Sequence, residues 1–365
     1  MQNKTILLIS PEPWGINFVS KHHYSNYLSK ENKVYFLNPP SGFSKNLFKG
    51  IQCKTEKITE SLTVVNYLNL LPRLNELPKI ITSNIYQKQA KAIQKEIGID
   101  HFDIVWSFDP NRFFDQAVWK TEKTLYHTVD VHQNKLFEDK IINSSDVVLS
   151  LSESILSKKV DKKIDIIGHG FNQPDDNIMQ KVIPGNNALK AVYLGNVSNL
   201  LDLKRLKTLS IKFPKIDFII IGPYRNSNLS HAGLNIELDA IKKLPNVYLI
   251  GEIPADEIQP YLRSCQINLF IIKHRENIPL INSHKLMDYF YTGNITLADE
   301  LLDYKGFDRD IMIQTNTSID YIKELEIIVK NLSSLNSEEL KKKRRTYAIA
   351  NTYAHKILAI ENEAP

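Results

Sequence analysis

Short runs of apolar residues recur along the chain, separated by longer stretches with helical spacing. Each run is apolar throughout instead of alternating with polar residues, which is typical of strands covered on both faces by helices. The first five runs are TILLIS (5–10), KVYFLN (33–38), DIVWSF (103–108), TLYHTV (124–129) and DVVLSL (146–151). This repetition predicts a parallel α/β layer in the N-terminal half of the chain.

The repetition is interrupted once and then resumes. Residues 172–187, NQPDDNIMQKVIPGNN, are rich in Asn, Asp, Pro and Gly and lack apolar periodicity, which indicates a linker. Six further runs follow: LKAVYLG (189–195), IDFIIIG (216–222), NVYLIG (246–251), INLFII (267–272), ITLA (295–298) and IMIQ (311–314). We predict two Rossmann-like parallel-sheet domains that face a cleft, with ligands at the carboxyl ends of the strands. The predicted segments are an N-terminal domain over 1–172, a linker over 173–187, a C-terminal domain over 188–345 and a C-terminal helix over 346–365.

Composition agrees with a chain of two packed domains. The chain has 365 residues, of which 42% are hydrophobic and 24% charged, close to the average of globular proteins. The two cysteines, Cys53 and Cys265, have no zinc-site or redox spacing, so we expect reduced thiols in a cytoplasmic protein. No apolar run approaches the ~18 residues of a membrane span, and none resembles a signal peptide. We expect no metal and no cofactor.

Positive charge is concentrated at the N-terminal end. Residues 1–100 contain 13 basic and 7 acidic side chains. The net charge of this segment is therefore larger than the net charge of the whole chain, which is +5. Four of its lysines, Lys79, Lys88, Lys91 and Lys95, lie in a predicted amphipathic helix over 79–98. A basic amphipathic helix suits an anionic membrane surface, which would place the protein at the inner face of the plasma membrane. A solvated helix face remains the alternative. We expect no nucleic-acid partner, because the basic residues lack interleaved aromatics or a known module.

The strongest local signal lies in the second domain. There Gly222 ends one strand, Gly251, Glu252 and Ile253 form a turn after the next, and NSHKLMDYFYTGNITLAD (282–299) follows. Asn282 or Ser283 is expected to cap a helix that continues through His284, Lys285 and Asp288.

Free N–H groups and a positive dipole end at such a helix start favour a diphosphate. Lys285 adds a point charge there. Asp288 shares its face and is suited to accept hydrogen bonds from ribose hydroxyls. An ordinary surface pair of Lys285 and Asp288 is the alternative.

These segments resemble the C-terminal domain of GT-B glycosyltransferases. The opening PEPWG (11–15) and the turn HGFN (169–172) also resemble that superfamily, so the resemblance covers most of the chain. The sequence is similar to the teichuronic-acid-type polysaccharide glycosyltransferases (family 4-like, group 1). NTYAHKI (351–357) resembles the helix that crosses back to the first domain in these enzymes. The resemblance implies a hexosyltransferase-type enzyme that transfers a sugar from a nucleotide-diphosphate sugar to a glycan or lipid-linked acceptor of the bacterial cell envelope.

The sequence departs from the family pattern at two places. Asp288 aligns with the second of two family glutamates, but Leu280 occupies the place of the first, which leaves Glu276 as the substitute. The residues that clamp the diphosphate after the first strand of the second domain, beside Gly195, are also displaced. The resemblance implies that Lys204 and Arg205 bind the diphosphate in their place.

In the first domain the cluster YHTVDVHQN (126–134) follows a predicted strand. Its Asp130 is similar in position to the catalytic base of the inverting xanthan-type glucuronosyltransferases, so we predict Asp130 as the base. His127 is the second catalytic candidate. His132 is predicted to bind the acceptor.

The loop after the first strand is the other predicted acceptor segment. Trp14 is suited to stack on a sugar ring, and Gly15 lets the backbone approach a ligand. His22 begins the next helix, and His169 of the HGFN turn is expected to line the cleft.

Other functions remain open from the sequence. The absent glutamate and displaced clamp suit a catalytically degenerate GT-B protein that binds a sugar or a partner. A sugar-nucleotide 2-epimerase on the same fold is a further alternative. The charge run KKKRR (341–345) predicts a solvated helix face.

Overall fold

The chain divides into two compact units. A computed structural model describes residues 1–15, 18–43, 52–130, 135–155, 161–174, 180–197, 200–224, 232–273 and 283–363. Unit 1 consists of Met1–Gly170 and Tyr353–Pro365, and unit 2 of Phe171–Thr352. The divisions therefore lie at 170/171 and 352/353, against predicted limits of 172 and 345. The described residues of the predicted linker, 173–187, belong to unit 2.

Unit 1 is built on an eight-stranded sheet in its described part, with the order β3-β4-β2-β1-β5-β6-β7-β8. All neighbouring strands are parallel except β3, which pairs antiparallel with β4. Apolar clusters cover both faces of the sheet, which is why its central strands are apolar throughout. The strands are β1 (Thr5–Ile9), β2 (Lys33–Leu37), β3 (Cys53–Lys57), β4 (Leu62–Tyr67), β5 (Phe102–Ser107), β6 (Thr121–Thr128), β7 (Val147–Ser150) and β8 (Asp165–Ile166).

Unit 2 contains a six-stranded, wholly parallel sheet among its described residues, with the order β11-β10-β9-β12-β13-β14. The chain order reverses between β9 and β12, which is the position where open α/β sheets bind ligands. The strands are β9 (Leu189–Leu194), β10 (Ile216–Ile221), β11 (Val247–Gly251), β12 (Ile267–Phe270), β13 (Ile295–Asp299) and β14 (Met312–Thr315).

Helices connect the strands in both units. They are α1 (Ser20–Leu28), α2 (Lys79–Ile97), α3 (Lys135–Ser144), α4 (Leu203–Lys212), α5 (Ala232–Lys242), α6 (Ile258–Arg263), α7 (Lys285–Thr292), α8 (Ser318–Lys330), α9 (Leu332–Leu335), α10 (Glu338–Ala350) and α11 (Tyr353–Glu363). Short 3-10 turns lie at Leu74–Glu76, Gln116–Val118, Glu153–Ile155, Ala255–Glu257 and Leu302–Tyr304. Within the described ranges, no helix is long and apolar enough to cross a membrane.

The structure of the C-terminal segment differs from two of our predictions. The single helix expected over 346–365 is in fact divided, because α10 ends at Ala350 and α11 begins at Tyr353. The KKKRR run is not a solvated face throughout. Arg344 is fully buried and donates from Nε to the Asp310 carbonyl at 2.7 Å and from Nη1 to the Gly293 carbonyl at 2.9 Å.

Candidate functional site

Three neighbouring strands of unit 2 each end in a glycine at the carboxyl edge of the sheet. Gly195 follows β9, Gly222 follows β10, and Gly251 ends β11. Their backbones continue the sheet, since the Gly195 N–H donates to the Ile221 carbonyl at 2.9 Å and the Gly222 N–H donates to the Gly251 carbonyl at 2.8 Å. We call these three residues the glycine edge.

Close packing explains why larger residues do not fit here. A Cβ atom on Gly222, whose φ is +135°, would lie 2.0 Å from the Gly195 carbonyl oxygen. A Cβ on Gly195 would lie 2.7 Å from the Tyr193 hydroxyl and 2.8 Å from Lys285 Nζ. Gly195 and Gly222 are buried in this packing, so only glycine fits at these strand ends.

Helix α7 brings two predicted donor-site residues to this edge. It starts at Lys285, and its N-cap is His284, with no side-chain hydrogen bond to the cap. Ser283, one of the two predicted caps, makes no side-chain cap bond to α7 among the described residues, and its carbonyl accepts from the Leu286 N–H at 3.1 Å. Asn282 lies outside the described residues. His284 is exposed and Ser283 half-buried.

Lys285 is the cation closest to the glycine edge in the described part of unit 2, judged by its approach to Gly195. Burial lowers the pKa of its ammonium group, and the neighbouring Asp288 carboxylate opposes that shift. A partly desolvated ammonium at the start of α7 is suited to an anion such as a diphosphate.

Asp288 lies one helical turn after Lys285. Burial raises the pKa of its carboxyl group to about 6, against the opposing effects of Gln259 and Lys285. Gln259 of α6 donates from Nε2 to the Asp288 carboxylate at 3.3 Å. Our reading of the sequence missed Gln259, because a lone glutamine in a six-residue helix carries no recognisable spacing.

Tyr289 anchors α7 at the point where the chain order reverses. Its hydroxyl accepts a hydrogen bond from the Leu194 N–H at 2.7 Å and donates to the Leu269 carbonyl at 3.0 Å. The hydroxyl thus joins the ends of β9 and β12, next to the last residue pair of these two strands, Tyr193 and Leu269. This bridge fixes α7 relative to the glycine edge.

The far end of α7 is held by α10. Arg344 reaches the Gly293 carbonyl, and Arg345 Nη2 donates to the Thr292 carbonyl at 3.0 Å. Guanidinium groups at the last carbonyls satisfy acceptors that a helix end leaves unpaired. The basic run therefore contributes to positioning the helix that carries Lys285.

The two residues predicted to replace the phosphate clamp lie in α4. Arg205 is buried, pairs with Asp299 and Asp202, and holds the ends of β12 and β13 together. Although burial disfavours its charge, Asp299 raises the pKa of the guanidinium. We therefore assign Arg205 to the packing of unit 2 instead of to a ligand. The Lys204 side chain is 84% exposed, with its Nζ 3.6 Å from Glu237.

The remaining residues predicted to bind the donor lie in the turn after β11. Glu252 is exposed, and Ile253 is half-buried against an apolar cluster of unit 2. Glu276 and Leu280 lie outside the described residues, as does the predicted acceptor residue His132.

In unit 1, His127 lies inside an aromatic cluster and is only 1% exposed. Its ring is 5.0 Å from Phe108, 5.7 Å from Tyr24 and 6.1 Å from Trp106, measured between centroids. Neither ring nitrogen has a hydrogen-bond partner among the described residues, and burial lowers the pKa of His127 to about 3. Asp130, by contrast, is exposed just beyond the end of β6. Asp130 is thus the better placed of the two catalytic candidates.

The loop after β1 is ordered by His22, which is fully buried. Its Nδ1 accepts from the Val19 N–H at 3.1 Å and its Nε2 donates to the Pro13 carbonyl at 3.1 Å. Both nitrogens are thereby used within the loop, in conflict with the acceptor contact predicted for His22. Trp14 is half-buried on the His22 ring, and Gly15 is exposed.

The HGFN turn begins with His169, which is half-buried. A Cβ on the following Gly170 would lie 2.3 Å from the Tyr353 ring of α11, so this glycine permits the close packing of α11 within unit 1. The acceptor role of His169 stays a prediction.

Arg112 closes much of the carboxyl edge of unit 1 and was not anticipated. It is 7% exposed and pairs with Asp109 at 2.6 Å. Its other nitrogens donate to the carbonyls of Ser10 and Asn38 and, at 3.0 Å, to the Tyr67 hydroxyl. One buried guanidinium therefore joins the ends of β1, β2, β4 and β5.

Metal-binding residues are not grouped in the described part of the chain: no set of three or more His, Cys, Asp or Glu is placed to hold an ion. The expectation that the protein needs no metal stays a prediction.

No protein-family model matches the sequence, and no curated protein matches it. Solved structures do match along the whole chain. Sucrose-phosphate synthase from Thermosynechococcus elongatus superimposes with a TM-score of 0.71 at 11% identity, covering 99% of this chain and 98% of that one.

Two further structures are similar. Anabaena HepE in complex with UDP-glucose gives a TM-score of 0.65 at 13% identity, with 100% of each chain covered. An alpha,alpha-trehalose-phosphate synthase (UDP-forming) from Burkholderia vietnamiensis gives 0.64 at 7% identity, covering 100% of this chain and 97% of that one. With its two parallel-sheet domains, the chain has the GT-B fold.

Proposed function

We propose that this protein is a glycosyltransferase that binds a nucleotide-diphosphate sugar at the glycine edge of unit 2. The observation that carries the proposal is the position of Lys285 Nζ, which a Cβ on Gly195 would approach to 2.8 Å. A cation, the glycine that ends β9 and the start of α7 thus meet at one strand end, a combination suited to a diphosphate. Asp288, one turn further on, is suited to the ribose hydroxyls.

The structural neighbours support this choice of ligand. Anabaena HepE binds UDP-glucose, and the Burkholderia synthase forms UDP. For this chain we propose a hexosyl donor of the same class, with UDP-glucose as the first candidate to test.

For unit 1 we propose acceptor binding. Trp14 offers a half-buried aromatic face after β1, and Asp130 offers an exposed carboxylate after β6. Asp130 takes the proton of the acceptor hydroxyl if the reaction inverts the anomeric centre. If the configuration is retained, the departing diphosphate takes it. NMR of the product's anomeric centre decides between the two.

We further propose that the acceptor is lipid-linked and belongs to bacterial surface glycan synthesis, of the teichuronic or xanthan type. Helix α2 supports this proposal. Its Ile85 and Ile93 are buried in unit 1, whereas Ile80 is 79% exposed at the start of the helix. Lys88, Lys91 and other polar residues occupy its solvent face. An exposed isoleucine beside a basic face favours contact with an anionic membrane.

The membrane proposal is tested by sedimentation with vesicles of phosphatidylglycerol and phosphatidylcholine. The triple variant Lys88→Gln, Lys91→Gln and Lys95→Gln is expected to lose binding to the anionic vesicles. A matched variant, Lys323→Gln and Lys330→Gln on α8, should bind as the wild type does. Equal binding of all three proteins would contradict the proposal.

The donor proposal is tested by thermal shift and calorimetry with UDP-, GDP- and TDP-sugars. We expect one of them to bind the wild type and to be hydrolysed slowly without acceptor. Lys285→Ala should lower the affinity at least tenfold, whereas Lys330→Ala, an exposed lysine paired with Glu326, should not.

Each alternative function gives a different result in these assays. Binding without donor turnover would indicate a degenerate GT-B module. Conversion of the nucleotide sugar into its epimer would indicate a 2-epimerase. Absence of binding by every nucleotide sugar would contradict the proposal.

A further inference from the structure

Gln259 links two segments of unit 2 that we assign to the donor. It lies in α6, which follows the Gly251 turn, and it is only 3% exposed. Its Nε2 donates to the Asp288 carbonyl at 2.9 Å and to the Asp288 carboxylate at 3.3 Å. A single amide thus contacts both the backbone and the side chain of Asp288.

The orientation of this amide is determined by Asp288. If the amide were reversed, Oε1 of Gln259 would face two oxygen atoms and repel both. In the observed orientation Oε1 is buried and has no partner within the described residues. A buried acceptor without a partner is unfavourable. The protein therefore keeps an unfavourable group at this position in order to present Nε2 to Asp288.

The amide also affects the charge of Asp288. Burial favours the neutral acid and raises the pKa of this carboxyl to about 6. The hydrogen bond from Gln259 is the larger of two opposing effects, and the charge of Lys285 is the smaller. Gln259 thus favours the ionised form of Asp288 by donating to it.

Other charged or titratable groups of the described residues lie on the elements next to Asp288. Tyr289, on the same helix, interacts with its charge. On the neighbouring turn and α6, Glu257 pairs with Lys181, and Arg263 lies 5.2 Å from the centre of the Tyr291 ring. Neither Glu257 nor Arg263 contributes to the shift of Asp288.

We propose that Gln259 is a positioning residue for donor binding: it holds Asp288 ionised and oriented so that the free carboxylate oxygen accepts hydrogen bonds from the ribose of the nucleotide sugar. This inference rests on the proposed function. It adds a specific residue and a pH dependence to it.

The sign of that pH dependence follows from the acceptor chemistry. An ionised carboxylate accepts two hydrogen bonds, and a protonated one loses part of that capacity. Donor affinity should therefore fall as pH decreases through the pKa of Asp288, about 6. Without the Gln259 hydrogen bond the protonated form of Asp288 is favoured and its pKa rises. The donor affinity should therefore begin to fall at a higher pH.

The experiment measures the dissociation constant of UDP-glucose by calorimetry between pH 5 and pH 8.5. UDP-glucose is the probe because its diphosphate is esterified at both ends and does not ionise in this range. For wild type we expect a midpoint near 6. For Gln259→Met we expect the midpoint to move upward by about half a pH unit, with a loss of affinity of about two- to threefold near pH 5.5 that disappears at high pH. Gln314→Met, which removes an amide bonded to Leu301 and Tyr304, should keep the wild-type midpoint.

A merely structural role gives a different result. Loss of affinity by the same factor at every pH, with an unchanged midpoint, would overturn the inference while leaving the proposed function intact. Gln259→Glu serves if the Met variant does not fold, and it should move the midpoint further because two carboxyl groups then share the site. An unchanged midpoint in that variant would overturn the inference too. If wild type binds no nucleotide sugar, both the inference and the proposed function fail.

Discussion

The carboxyl edges of the two sheets are completed in opposite ways. In unit 1 a buried guanidinium, Arg112, donates to groups at the ends of four neighbouring strands and fills the space beyond them. In unit 2 the corresponding strand ends carry Gly195, Gly222 and Gly251, and Lys285 Nζ lies beside Gly195.

This difference concerns the edge at which we propose that an anion binds. The N–H donors of Arg112 are already bonded to groups of the protein. They stabilise the edge of unit 1 and are not offered to a ligand. At the glycine edge the N–H groups of Gly195 and Gly222 are likewise bonded within the sheet, and it is the ammonium of Lys285 that suits an anion there. Unit 2 also has a buried guanidinium at strand ends, that of Arg205, but it lies at β12 and β13.

Replacing Arg112 should produce the largest effect. Arg112→Met leaves the buried Asp109 carboxylate without its partner, and we expect a loss of about 3 to 5 kcal/mol in the unfolding free energy of unit 1. Urea unfolding followed by tryptophan fluorescence reports unit 1 alone, because Trp14, Trp106 and Trp119 all belong to it. Arg73→Met, at a side chain that is 80% exposed, should change stability by less than about 0.5 kcal/mol. Equal effects of the two substitutions would contradict the role of Arg112.

A methyl group at the glycine edge should act mainly on unit 2. Gly222→Ala places Cβ against the Gly195 carbonyl, and the strands must separate to admit it. We expect a cost of about 2 to 3 kcal/mol and at least a tenfold loss of nucleotide affinity, measured by calorimetry. Gly306→Ala is the matched control, since its φ is also positive, at +74°, but no atom lies within 4 Å of its Cβ. If both variants bind nucleotide equally well, the glycine edge is not the binding surface.

Acid should destabilise unit 1 through His127. The folded-state pKa of about 3 lies below the ordinary value of 6.5, so the stabilising contribution is complete above 6.5 and is lost as pH falls towards 3. We expect a loss of about 2 kcal/mol between pH 6.5 and pH 5. His127→Phe should reduce that slope in the fluorescence assay. A slope unchanged by the substitution would show that other groups cause the acid sensitivity.

Tyr289→Phe should have the smallest effect on stability. It removes the hydroxyl that joins β9 and β12 at the edge of unit 2, at a cost of about 1 kcal/mol. We also expect weaker nucleotide binding, because α7 is then less firmly placed. Tyr321→Phe, which removes a hydroxyl bonded to the Leu297 carbonyl at 2.9 Å in another apolar cluster, should lose comparable stability but no affinity. The contrary result, with affinity lost only in Tyr321→Phe, would remove the positioning role of Tyr289.

The pattern of apolar runs predicted the parallel sheets because it depends on local burial. All eleven runs became strands, and the helix predicted over 79–98 is helix α2. Strand β3 was missed because CKTEK (53–57) is polar and pairs only at one edge of the sheet. Strand β4 and the two-residue β8 were also missed.

The site was predicted less completely, because its geometry depends on residues far apart in the sequence. The glycines, Lys285 and Asp288 were recognisable from local spacing and resemblance. Gln259 and Arg112 were not, since each acts through partners that only the fold brings together: Gln259 meets a residue 29 positions later, and Arg112 meets Ser10 across 102 positions. The ion pair of Arg205 was not foreseen for the same reason, because its partner Asp299 lies 94 positions away.

Hydrogen exchange with and without the nucleotide sugar that binds tests the central claim most directly. The account predicts protection in unit 2 at the backbone around Gly195, Gly222, Gly251 and Lys285, and no protection by the donor at the strand ends held by Arg112. Protection at the edge of unit 1 instead, or no protection at the glycine edge despite binding, would contradict it.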